Sequence, residues 1–101
     1  MKDLFYILKD KKPIPTDSTT AMENYSIEKR KVAKDKIGDI LISTVFLGID
    51  HAFDNGPPVL FETMVFGGGL DEEMERYSTW EEAEAGHAAM VEKVKKALKK
   101  P

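Results

Sequence analysis

The sequence predicts an α+β fold: a small antiparallel sheet built on a central long-loop hairpin, with a C-terminal amphipathic helix packed on it. Two observations carry this. Residues Ile40–Ile49 and Pro58–Phe66 are rich in β-branched and aromatic residues, and Asn55-Gly56 between them favours a turn. Trp80, Ala83, His87, Met90, Val91, Val94 and Leu98 then recur at spacings of three and four, which makes one apolar stripe on a helix.

Taken in order, Leu4–Leu8 is an apolar, aromatic run bounded by charges and reads as a short strand. Lys9–Lys12 is a polar turn. Pro13-Ile14-Pro15 cannot lie inside a central strand, because proline has no N–H, so it reads as an edge strand or connector. Thr16–Thr20 is rich in N-cap residues, which places a short helix over Ser18–Tyr25 with Met22 and Tyr25 turned inward. Lys29–Ile37 reads as a strand ended by the Gly38-Asp39 turn. The absence of charge from Ile40–Ile49 predicts burial on both faces. Gly67-Gly68-Gly69 ends the second strong strand, and Glu75–Ser78 is a last short one. In the C-terminal helix, Thr79 and Glu82 fit a capping box. Glu81, Glu82 and Glu84 near its start, and Lys93, Lys95, Lys96 and Lys99 near its end, suit the helix dipole.

The chain has 101 residues, which suits a single domain over 1–101. Charged residues are 33% and the net charge is −3, which gives no general attraction to nucleic acid or to an anionic membrane. The absence of cysteine removes disulfides, thiol catalysis and cysteine-ligated metals, and favours a reducing compartment. No signal-peptide pattern opens the chain and no apolar run approaches the ~20 residues of a membrane span. The expected location is the cytoplasm.

Chemistry-bearing residues gather in one loop. Asp50, His51 and Asp54 lie within five positions and are candidate ligand-binding residues, of a mixed oxygen and nitrogen type that suits a metal. Their spacing matches no standard metal motif, and the alternative is that the aspartates brace the loop backbone while His51 is a surface residue. No cofactor is implied, and whether a metal binds stays open. Glu62 stands inside the apolar run Val59–Phe66. On an open sheet face it points to water; on a covered face it needs a cation such as Arg76, a lysine or a ligand. His87 lies on the apolar stripe of the last helix, as a satisfied core histidine or as an acid–base partner of Glu62. Ser43, Thr44 and Thr63 are strand hydroxyls without the sequence pattern of a Ser-His-Asp enzyme. The triple glycine lacks the Lys-Ser/Thr of a P-loop.

The run Ile42–His51 (ISTVFLGIDH), the run Gly56–Gly68 (GPPVLFETMVFGG) and the run Arg76–His87 (RYSTWEEAEAGH), with Tyr6-Ile7-Leu8 and Pro13-Ile14-Pro15, resemble a widespread family of small proteins encoded by bacteriophages and prophages. The chain departs from that pattern at Ala21–Ile27, where the family has a more aromatic, tryptophan-bearing helix. The resemblance implies phage origin and action in the host cell cytoplasm, and it supplies no catalytic residue. The expected function is that of a small accessory protein acting by binding, in counter-defence, either by inhibiting a host protein or by sequestering a small-molecule ligand. The rival expectations are a metal-dependent or acid–base enzyme using the Asp50, His51 and Glu62 region, and a structural or virion-associated protein. The uncharged central strand also suits a homodimer.

Overall fold

The computed structural model describes residues 3–52 and 55–99. It is an α+β fold with two antiparallel sheets. Strands β1 (Phe5–Lys9) and β2 (Lys12–Thr16) form a hairpin. Asp10 and Lys11 both take left-handed φ values, 51° and 69°, which close the tight turn between them in the sense that matches strand twist. Pro13 and Pro15 lie on β2, the edge position expected of them.

Helix α1 spans Ser18–Glu23 and is capped by Asp17, whose carboxylate accepts the Thr20 N–H at 2.7 Å. That N–H, with the Thr20 side chain, holds the Asp17 carboxyl below its ordinary value. The inward face of α1 is Ala21. Met22 and Tyr25 were expected inside, but they are 77% and 51% exposed, because the short helix lies against β1 with no layer beyond it. Residues 27–30 add one helical turn, α2 (Ile27–Arg30), which takes the first two residues, Lys29 and Arg30, of the expected Lys29–Ile37 strand. Ser26 caps that turn by accepting the Lys29 N–H.

Strands β3 (Lys31–Ile37), β4 (Ile40–Phe46), β5 (Phe61–Phe66) and β6 (Met74–Tyr77) follow as a four-stranded meander in sequence order. The final helix, α3 (Trp80–Lys99), packs on one face of this sheet. Its capping box forms as expected: Thr79 Oγ1 accepts the Glu82 N–H at 3.1 Å and Glu82 accepts the Thr79 N–H at 3.1 Å. Ala83, His87, Met90 and Val94 are buried on its inner side, while Leu98 is 56% exposed beyond the edge of the core. Among the described residues no helix is long and apolar enough to cross a membrane.

Burial on β4 alternates strictly, so the strand is covered on one side only. The expectation of two covered faces fails for a physical reason: Leu41, Ser43 and Val45 are uncharged without being buried, and polarity alone does not separate the two situations.

The helix-side core has two apolar halves. Tyr6, Phe46, Leu60, Phe61 and Ala83 form one, with Trp80 edge-on to Phe61 at 6.3 Å. Ile40, Ile42, Val65, Met90 and Val94 form the other. The hairpin docks on the first half through buried Tyr6 and through two backbone bonds, Tyr6 N–H to Gly48 O and Asp50 N–H to Leu4 O, both 2.9 Å.

Gly86 sits where α3 passes Tyr77, and a Cβ there would overlap the Tyr77 ring and hydroxyl. Alanine in mid-helix normally gains about 1 kcal/mol over glycine, whereas overpacking costs about 1–3 kcal/mol. Because the rigid ring is held between β6 and the helix, Gly86→Ala is expected to destabilise the protein by about 1–2 kcal/mol in urea titration. In a Tyr77→Leu background the same change is expected to stabilise. A gain in stability from Gly86→Ala alone would show that Tyr77 is not wedged there.

Candidate functional site

The face of the meander turned away from α3 is assembled by register. Lys31 pairs with Val45, Val45 with Glu62, and Glu62 with Arg76. The next row is Lys34, Ser43, Met64 and Met74, and the third is Lys36, Leu41 and Phe66. Side chains alternate faces along a strand, and the residues between these ones are those that α3 covers. Among the described residues no second layer lies over this face.

Its chemistry is mixed. Leu41, Val45 and Met64 are half-buried, while Phe66 and Met74 are 45% and 41% exposed. Lys31, Lys34 and Lys36 line the β3 margin, all exposed. At the far corner Arg76 Nε donates to Glu62 Oε2 at 3.0 Å, with the Glu62 side chain 16% exposed. Four cations therefore stand against one carboxylate, in a chain whose net charge is −3. Lysines also guard a sheet edge against adventitious strand pairing, but Lys34 and Lys36 flank an apolar surface as well as an edge.

The Asp50 loop has a different role. Asp50 Oδ1 accepts the Ala52 N–H at 2.8 Å and the Val59 N–H at 2.9 Å. This carboxylate braces the long β4–β5 connection, which is the backbone-bracing alternative of the sequence reading. His51 is half-buried and its N–H bonds Val59 O at 3.0 Å. Asp54 lies outside the described residues. Among the described residues no group of three or more His, Asp and Glu gathers as a metal cluster.

His87 and Glu62 do not meet, because the sheet separates them. His87 instead belongs to a buried chain of polar groups. Its Nε2 lies 2.7 Å from Asp35 Oδ2, its Nδ1 lies 2.6 Å from Thr44 Oγ1, and Thr44 Oγ1 lies 2.5 Å from Thr63 Oγ1. One set of hydrogens satisfies every link: Thr63 donates to Thr44, Thr44 to His87 Nδ1, and His87 Nε2–H to the Asp35 carboxylate. The order of groups is that of a carboxylate–imidazole–hydroxyl triad. Thr44 and Thr63 have no exposed surface, however, so no substrate reaches either hydroxyl. The chain is a polar layer between the two apolar halves of the core, and it fastens α3 to three strands.

Sequence reasoning named Glu62, His87 and Arg76 but did not find Lys31, Lys34 and Lys36 as one margin. The period-two spacing of Lys34 and Lys36 was available as a signal; Lys31 falls into line only through the β-bulge between Lys31 and Ala33. Compared with protein-family models, with curated proteins and with solved structures, the chain finds no match in any of the three.

Proposed function

We propose that this chain is a small binding protein whose open sheet face docks an acidic, apolar segment of another protein. In the setting that the phage-like sequence pattern implies, that is an accessory protein inhibiting a host protein, as counter-defence proteins do. The carrying observation is the uncovered face, where an apolar stripe ending in Met64, Phe66 and Met74 is flanked by Lys31, Lys34 and Lys36. Contiguous exposed apolar surface rimmed by charge marks interaction sites, and methionines adapt their shape to varied partners. Charge also favours a foreign partner over a second copy. Packing two such faces about a two-fold axis across the strands sets lysine against lysine; an axis along the strands sets the lysines over the strand bearing Arg76.

The test is fluorescence anisotropy with a short labelled peptide alternating glutamate and leucine, against a matched lysine–leucine peptide. Selective binding of the acidic peptide is expected. The double variant Lys34→Glu/Lys36→Glu should weaken it about tenfold, since two screened contacts are reversed. Raising salt from about 0.1 to about 1 M, which shortens the Debye length from about 10 to about 3 Å, should weaken it as well. Equal binding of both peptides, or no effect of charge reversal, would sink this reading.

A further inference from the structure

A second feature is the cleft bounded by the N-terminal hairpin, α1, α2 and the end of β4. It has a volume of about 160 Å³, and Leu8, Ala21 and Phe46 contribute apolar lining while Asn24, Tyr25, Lys29 and Arg30 bring polar groups to it. An enclosed apolar cavity of about this size, roughly 150 Å³, holds one benzene ring.

Arg30 is the unusual group. Its guanidinium lies 4.0 Å from the centre of the Tyr25 ring, stacked on the aromatic face. Its Nε is buried and has no hydrogen-bond partner. Among the described residues no carboxylate pairs with it, and the lining of the cleft contains no aspartate or glutamate. The guanidinium charge is therefore unmatched by any carboxylate along the cleft, and its outer nitrogens remain as the donors that a ligand can meet. Guanidinium also presents a planar fork of donors that matches carboxylate and phosphate oxygens. Lys29 adds a second cation at the cleft, its Nζ making a long 3.5 Å contact to Asn24 Oδ1. Asn24 Nδ2 is committed to Thr20 O at 2.8 Å and fixes that wall.

We propose that this cleft binds a small oxyanion, a carboxylate or a phosphate ester, carried on a single planar ring. The anion bonds the outer nitrogens of the Arg30 guanidinium and is approached by Lys29, and the ring lies against Leu8 and Phe46. Both charged groups of the cleft are cationic, which selects an anion over an amine, and the space selects one ring over two. The site is distinct from the open sheet face and stands or falls apart from it.

The experiment is calorimetric titration with benzoate and with phenyl phosphate, which separates the two oxyanions. Benzyl alcohol serves as the ring without the charge and inorganic phosphate as the charge without the ring. One of the two complete probes should bind more tightly than either half. Arg30→Gln should weaken it about tenfold or more, as expected for loss of a hydrogen bond to a charged group. Ala21→Leu, which fills the cleft and leaves Arg30 in place, should remove binding while an unchanged fold is confirmed by thermal melting. Benzyl alcohol binding as tightly as phenyl phosphate, unchanged affinity in Arg30→Gln, or saturation by none of the probes would each overturn the proposal.

Discussion

Phe61→Ala is expected to be the most damaging single substitution in this protein, at about 3–5 kcal/mol. Phe61 has no exposed surface. It meets Phe46 at 5.4 Å between ring centres and Trp80 edge-on at 6.3 Å, so its ring joins β4, β5 and the first turn of α3. Truncation removes the buried ring and leaves a cavity whose walls, two large aromatics, cannot collapse into it. At roughly 4–8 °C per kcal/mol for a domain near this size, the melting temperature should fall by about 12–40 °C. Phe66→Ala is the matched control. It removes the same side chain from the same strand, but Phe66 faces outward and is 45% exposed. Its cost should be below about 1 kcal/mol. Equal losses in the two variants would mean that the assignment of covered and open faces is wrong.

His87→Leu is expected to cost about 2–3 kcal/mol, because it strips the Thr44 hydroxyl of its acceptor inside the core. Thr44 and Thr63 still face one another in the variant, with one hydrogen left over and no water to receive it. Asp35 loses little, since its side chain is 55% exposed and turns to solvent. The triple variant His87→Leu/Thr44→Val/Thr63→Val removes the orphaned hydroxyls along with the imidazole, and should recover most of the loss. In the unaltered protein, nitrogen-detected NMR should find the His87 proton on Nε2, facing Asp35. A triple variant weaker than the single one, or a proton on Nδ1 alone, would contradict the hydrogen-bond order derived above. The same series separates fastening from chemistry, because a merely structural relay is replaceable by apolar groups of similar shape.

How much of this was legible in the sequence depends on the range of the interaction. The capping box at Thr79 and Glu82 spans three positions, and its geometry is dictated by the helix itself, so it was readable. The β4–β5 hairpin was readable because its strands are rich in β-branched residues and its loop holds Asn55-Gly56. Lys29 and Arg30 read as part of the β3 strand and instead end a helical turn, because the Ser26 cap outweighs a weak propensity over four residues. The Glu62–Arg76 pair was nameable, since few cations lie near that run. The bond between His87 and Asp35 was not, because it joins positions 52 apart on elements whose packing the sequence does not state. Thr44 and Thr63 carry the same limitation: a hydroxyl in a strand takes its meaning from its cross-strand neighbour, and only the register makes these two residues opposite.

The hairpin Phe5–Thr16 meets the rest of the molecule through Tyr6 and Leu8 on the core, Lys11 over the Trp80 ring, the backbone bonds around Gly48–Asp50 and the small helix α1. Its outer strand carries two prolines and offers few amides to any ladder. Such a piece is expected to open as its own cooperative unit, at a free energy below that of the meander. Amide hydrogen exchange is therefore expected in two tiers, fast across the hairpin and slow across β4 and β5. The cleft lined by Arg30 lies on the boundary between those tiers, so occupancy there and closure of the hairpin are linked equilibria, each favouring the other by the same factor.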